Sequence, residues 1–412
     1  MKVYLVGGAV RDQLLGYPVK ERDWVVVGST PLELLEKGYQ QVGRDFPVFL
    51  HPQTHEEYAL ARTERKMAPG YYGFSCDFNP EVTLENDLKR RDLTINAMAL
   101  DENGQLIDPF HGQDDLDAKI LRHVSTAFVE DPVRVLRVAR FAARYHHLGF
   151  KLADETRALM YAMVKRGELA HLVPERVWQE LHQSLQESNP EIFITTLRAC
   201  GALQVVFQEL DVLFGIPNPR RYHPEVDSGI HTLMTLAAAV KRSPSPILRF
   251  AALVHDLGKA GTPMSQWPHH IGHEEKGVLI IKKLCQRLRI PREFSQLAVL
   301  VSQYHLIIHR LFELRAHTIV TVFEKVDAFR RPELFESLLI VCEADSKGKM
   351  QGEAVDYKAA DSWRDLLREC NKIKPNQLIA SGITGEGIKL RMHELRIAAV
   401  KSFIKQWKTH EI

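Results

Sequence analysis

The chain has 412 residues, 45% of them hydrophobic and 26% charged, with 54 lysines and arginines against 52 aspartates and glutamates for a net charge of +2. That balance excludes a disordered or fibrous chain, and no stretch approaches the ~18 uncharged apolar residues of a membrane-spanning helix. A charge so near zero offers a polyanion no global field, so any nucleic-acid contact has to come from local patches.

In chain order, Lys2 to Val6 reads as a strand, broken by Gly7-Gly8 before a helical run from Ala9 to Leu15. The β-rich run Arg22 to Val27 follows, then strands over Glu57 to Arg62 and Ala97 to Leu100, which together predict an α+β head over 1–140. From Pro132 onward apolar residues recur at i, i+3 and i+4, so the remainder is expected to be helical. The expected parts are a helical body over 141–227, ending in the proline-rich break 215–224, then a histidine-bearing domain over 228–329 and a helical tail over 330–412. Five cysteines, Cys76, Cys200, Cys285, Cys342 and Cys370, form no C-x-x-C pair, so neither a disulfide framework nor a zinc ribbon is expected. Reduced thiols and the absence of a signal-peptide core point to the cytoplasm, away from membranes.

The first candidate site lies near the amino end. Side chains alternate across a strand, so Glu21 and Asp23 are expected on one strand face, at the mouth of an apolar run. Two carboxylates there suit divalent cations, which is what phosphoryl transfer asks of a protein. In isolation the pair reads more readily as solvent-exposed charge. Gly7-Gly8, opening a helix, is expected to leave backbone N–H groups for an anion, with Arg11 in the first turn. Arg90 and Arg91 offer rigid forks for phosphate, with Asp92 placed to fix one of them. On a helix from Pro132, Arg134, Arg137, Arg140 and Arg144 share about a third of the circumference. Such a stripe is commonly a solvated face. With Asp131 ahead of it, it can also match the polar edge of a free base.

Gly-Gly-Ala-Val-Arg-Asp (7–12), Glu-Arg-Asp-Trp (21–24), Arg-Arg-Asp-Leu-Thr-Ile-Asn-Ala-Met-Ala (90–99), Asp-Pro-Phe-His-Gly (108–112) and Glu-Asp-Pro-Val-Arg-Val-Leu-Arg-Val-Ala-Arg-Phe (130–141) resemble, in order, the signatures of bacterial CCA-adding tRNA nucleotidyltransferases. The resemblance implies a polymerase-β-like head with a mixed sheet, Mg²⁺ carried by Glu21 and Asp23, and nucleotide contacts from Gly8, Arg11 and Arg91. It implies recognition of cytosine or adenine by Asp131 and Arg134, and further nucleotide contacts from Arg137 and Arg140. Its partners would be tRNA, CTP and ATP, with the protein a monomer or weak homo-oligomer. The family commonly has Asp-x-Asp, whereas the first carboxylate here is glutamate, whose extra methylene lengthens the reach. Bacterial poly(A) polymerases share the head and several motifs and form the nearest alternative. A tRNA-binding hydrolase with an inert head is another.

Of nineteen histidines, eight fall between 223 and 309: His223, His231, His255, His269, His270, His273, His305 and His309. His255-Asp256, at the end of an apolar run and followed by Gly258, can direct two unlike ligands to one cation. The segment resembles the HD phosphohydrolase superfamily, which implies His231, His255, Asp256 and Asp345 as metal ligands, with His273 and His305 in secondary positions. Imidazole ligands favour Ni²⁺, or Co²⁺ or Mn²⁺, over Mg²⁺. Phosphatase, 2′,3′-cyclic phosphodiesterase and 2′-nucleotidase activities are the expectation for this second site.

Overall fold

In the computed structural model, residues 1–19, 21–42, 48–66, 74–221, 225–349, 356–380 and 384–410 are described. They divide into two compact units, Met1–Gln208 and Glu209–Ile412. His223 lies outside the described residues.

The first unit is built on a mixed sheet. β1 (Lys2–Val6) pairs antiparallel with β2 (Asp23–Val27), Val6 opposite Asp23. Between them the chain turns at Gly7 into α1 (Gly8–Leu14). α2 (Pro31–Glu36) starts at a reciprocal Thr30–Glu33 capping box. β3 (Gln40–Gln41), β4 (Val48–Leu50) and β5 (Glu57–Leu60) extend the sheet, β5 running parallel to β2 with Glu57 beside Asp23. β6 (Thr63–Lys66) and β7 (Phe74–Asp77) pair separately, and α3 (Leu84–Lys89) follows. β8 (Ala99–Leu100) and β9 (Leu106–Ile107) complete a seven-stranded order β3-β4-β5-β2-β1-β8-β9.

Both faces of β2 are covered, which explains its unbroken Trp-Val-Val-Val run. Val25 packs with Val6, Ala97 and Ala99 on one face, and Val26 with Leu34, Phe49 and Leu60 on the other. Each buried valine contributes about 1.5–3 kcal/mol. By alternation Asp23 falls on the Val25 face. The strand is one residue shorter than expected and begins at Asp23, so Glu21 precedes it rather than lying on it. The expected Ala97 to Leu100 strand shrinks to Ala99–Leu100, because Thr94–Asn96 form a 3₁₀ turn.

After α4 (Gly112–Asp117) and the parallel pair β10 (Ile120–Leu121) with β11 (Lys151–Leu152), the unit is helical. α5 (Val133–Tyr145) continues through residue 140 and packs against α7 (Pro174–Ser184) and α8 (Pro190–Ala199); α6 (Asp154–Lys165) and α9 (Ala202–Val206) complete this part, and α10 (Gln208–Asp211) begins at its last residue and belongs mostly to the second unit.

The second unit is all helix: α11 (Ser228–Arg242), α12 (Pro246–Val254), α13 (His273–Arg287), α14 (Arg292–His309), α15 (Ala316–Lys325), α16 (Pro332–Lys347), α17 (Lys358–Asn371), α18 (Asn376–Ala380) and α19 (Glu386–His410). α16 begins past residue 330 and packs on α11, α12 and α14. Trp363 on α17 is fully buried against Phe323 and Phe335 and donates to the Ile308 carbonyl at 3.0 Å. Prolines 174, 190, 246 and 332 each open a helix, where a missing N–H costs nothing. No helix among the described residues is long and apolar enough to cross a membrane.

Candidate active sites

In the first unit a cleft of about 650 Å³ is lined by all nine residues expected there: Gly8, Arg11, Glu21, Asp23, Arg91, Asp131, Arg134, Arg137 and Arg140. Asp23 reaches it from the start of β2 and Glu21 from the extended residues before. Glu57, one strand over, joins both in an adjoining cleft of about 500 Å³. Sequence reading passed over Glu57, and only strand register brings it there. Partial burial raises the Asp23 carboxyl above its ordinary range, Arg91 opposes this and Glu21 adds to it. Carboxylates crowded in this way are what a hard divalent cation relieves, so the oxygen donor set fits Mg²⁺.

The phosphate-binding side is assembled from arginines with fixed anchors. Arg11 donates to Asp12 at 2.8 and 2.9 Å and to Asn96 Oδ1. Asn96 in turn donates to Asp92 at 2.9 Å, so it braces the site. Arg91 pairs with Asp87 at 3.2 Å, and Arg90 pairs with the same carboxylate at 2.6 Å. The expectation that Asp92 fixes Arg90 or Arg91 is therefore corrected: Asp87, three and four residues back along the helical turn, does so. Gly7 sits at φ 71°, and a Cβ there would come within 2.7 Å of the Arg91 guanidinium, so glycine is what lets the arginine in. The Gly7 N–H is spent on the Met98 carbonyl at 3.2 Å, so an anion cradle starts no earlier than Gly8.

The α5 arginines are only in part a solvated face: the side chains of Arg137 and Arg144 are each 37% exposed. Arg134 and Arg140 are buried. Arg137 pairs with Asp92 at 2.7 Å, Arg140 with Glu180 at 2.6 Å, and Arg134 donates to the Ala127 carbonyl at 2.6 Å. The Arg140 guanidinium lies 4.5 Å from the Phe141 ring centre. Burial works to raise Asp92, but Arg137, the Asn96 amide and Arg134 together outweigh it and hold that carboxyl well below the usual range. Asp131 is engaged by Arg176 at 2.7 and 3.1 Å. Arg176 and Glu180, both from α7, were not foreseen. Nothing in their local sequence marks them, because their partners lie about forty residues away.

The second unit gathers a buried histidine–aspartate cluster. Ligand atoms of His231 (α11), His255 (just past α12) and Asp345 (α16) lie within 4.8 Å of one another, and so do those of Asp256, His273 (α13) and His305 (α14). Asp256 stands between the trios: Oδ2 is 3.3 Å from His255 Nε2, and Oδ1 is 3.4 Å from His273 Nε2 and 3.6 Å from His305 Nε2. The four expected ligands thus come together, with His273 and His305 placed as closely around Asp256. Three imidazoles donate Nδ1–H to backbone carbonyls, His255 to Ala252 at 2.8 Å, His273 to His270 at 2.8 Å and His305 to Val301 and Ser302 at 3.1 Å. That fixes the tautomer and turns each Nε2 lone pair inward. Burial pushes His305 down to about 3, which keeps its ring neutral. His255 Nε2 and Asp256 Oδ1 are buried without a well-formed hydrogen bond, so the donor set fits a borderline transition metal. Lys259 meets Asp256 Oδ2 at 2.5 Å, and His309 meets Asp345 Oδ2 at 2.7 Å; neither was foreseen in its role. His269 is exposed, and His270 bonds Thr262 and the Pro217 carbonyl instead.

Three family models match the chain. Residues 3–122 match the poly A polymerase head domain, 149–214 the probable RNA and SrmB-binding site of polymerase A, and 229–347 the HD domain. A multifunctional CCA protein of Legionella pneumophila is 63% identical over 411 residues, covering 100% of both chains. The Thermotoga maritima CCA-adding enzyme, solved in complex with tRNA, shares the fold at 20% identity, with a TM-score of 0.63 over 98% of this chain and 91% of that one. A CCA-adding enzyme solved with ATP and with CTP superposes with a TM-score of 0.64 at 22% identity, over 97% of this chain and 86% and 87% of those.

Proposed function

Because the chain belongs to the family of the multifunctional CCA proteins, we propose that its first unit adds C, C and A to the 3′ end of tRNA, using CTP and ATP and no nucleic-acid template. The observation that carries this reading is the cleft that Glu21, Asp23, Arg11, Arg91, Asp131 and Arg134 line together. The terminal ribose hydroxyl oxygen attacks the α-phosphorus, the bond to the β-phosphate oxygen breaks, and pyrophosphate leaves. Glu21 and Asp23 would hold Mg²⁺, which supplies positive charge to the attacking and leaving oxygens. Arg11 and Arg91 hold the triphosphate. Asp131 accepts from an exocyclic amine and Arg134 donates to the base. Arg137 and Arg140, anchored by Asp92 and Glu180, keep the nucleotide's approach positively charged.

In the second unit, His231, His255, Asp256 and Asp345 would hold Ni²⁺, Co²⁺ or Mn²⁺, which supplies an activated water for phosphate ester hydrolysis. Phosphatase, 2′,3′-cyclic phosphodiesterase and 2′-nucleotidase activities on damaged RNA ends suit this chemistry, and they give a reason to link it to an end-building enzyme. The substrate tRNA and the free, buried thiols of Cys200, Cys285, Cys342 and Cys370 support a cytoplasmic site of action.

The head-domain match makes ATP-only polymerisation the reading to be tested against. Incubating the protein with tRNA that lacks its 3′ CCA, with CTP, ATP or both, and sequencing the products decides between them. CTP alone yields two additions, and both nucleotides yield three and then arrest. Glu21→Gln/Asp23→Asn adds nothing. Long adenosine runs from ATP alone would overturn the proposal.

A further inference from the structure

Arg176 contacts the carboxylate on which base reading rests. Its guanidinium forks onto Asp131, Nη1 to Oδ1 at 3.1 Å and Nη2 to Oδ2 at 2.7 Å, and the pair is largely shielded from solvent. The Val133 N–H donates to the same Oδ1, also at 3.1 Å. A carboxylate offers about two acceptor positions on each oxygen. Oδ1 is therefore saturated, and a single position remains on Oδ2 beside the cleft. The two-point contact also fixes the plane of the carboxylate, which a single-point ion pair would not do.

We propose that Arg176 is a positioning residue that locks Asp131 with one remaining acceptor directed at the incoming base. That lock restricts the cleft to bases with an amine on the edge being read, cytosine and adenine, against those that present a carbonyl oxygen there, uracil and guanine. A carbonyl oxygen set against the fixed Oδ2 finds no donor and meets like partial charge. An unlocked carboxylate could turn aside, and the discrimination would relax. The inference rests on the reading of Asp131 as a base-recognising residue.

The test measures kcat/KM for CTP, ATP, UTP and GTP on tRNA ending before CCA. Arg176→Lys keeps the charge and loses the fork, so relative use of UTP and GTP rises about tenfold, the discrimination one well-placed pair supplies, and the loss of selectivity exceeds the loss of turnover. Arg176→Ala regains selectivity with added ethylguanidinium and not with ethylammonium. In an Asp131→Ala background, Arg176→Lys changes selectivity no further. If Asp131→Ala itself retains selectivity, the reading of Asp131 fails and the inference with it. If Asp131→Ala loses selectivity while Arg176→Lys keeps it, the Arg176 inference alone is overturned. Loss in Arg176→Ala that ethylguanidinium does not restore marks a merely structural role and overturns it as well.

Discussion

Asp92 is a buried carboxylate whose charge is stabilised by its neighbours. Besides Arg137 and Asn96, it accepts the Leu93 N–H at 2.8 Å. Its folded-state pKa lies below the unfolded value, so the stability it contributes is complete above about pH 4 and drains away as pH falls toward the folded-state value. Asp92→Asn keeps the shape and removes the charge. It should cost about 2 kcal/mol at neutral pH, less than a fully buried pair because the Arg137 side chain is 37% exposed. The variant should also lose less stability than the parent on acidification below pH 4. Thermal melts between pH 3 and 7 check this; superimposable acid limbs would show that Asp92 titrates elsewhere. The same residue anchors Arg137, so the stability and the charge of the cleft share one contact.

Among the elements, the 3₁₀ turn Leu257–Gly261 decides how the metal cluster closes. α12 ends at Val254, and the turn, which follows directly on Asp256 and contains Lys259, packs against α13. Gly258 lies within this turn. Its role is close approach: a Cβ there would run into the His273 backbone carbonyl and the Gly277 N–H. Gly258→Ala has to push the turn away from α13, separating Asp256 from His273. The expected cost is about 1–3 kcal/mol, with Ni²⁺ affinity weakened at least about tenfold. Calorimetry and titration with Ni²⁺ measure both. An unchanged affinity would mean that the turn and α13 do not need to touch for the cluster to form.

At the scale of the whole molecule, two units carry two donor sets of different hardness. Carboxylate oxygens near β2 suit Mg²⁺, and imidazole nitrogens in the second unit suit a transition metal. A chelator selective for transition metals, used in excess Mg²⁺, should silence phosphate ester hydrolysis and leave CCA addition running. His255→Ala/Asp256→Ala should do the same by removing ligands. Assays of pyrophosphate release and of 2′,3′-cyclic phosphate hydrolysis on one preparation separate the two. Equal loss of both activities would show that the second cluster is a structural support for the first.

The sequence by itself pointed to the sheet's first two strands and the helical remainder, because strand alternation and i, i+3, i+4 spacing are local patterns, while the resemblance to known families named residues that line both clusters. It misjudged Asp92 and assigned no site role to Glu57, Arg176, Glu180 or His309. Glu57 stands by Asp23 through strand register, Arg176 and Glu180 reach α5 across a helix packing, and His309 meets Asp345 from another helix. Which carboxylate holds which guanidinium depends on distances between segments far apart in the chain, and only the folded packing sets those distances. Local pattern therefore selected the chemistry, while tertiary structure chose the partners that orient it.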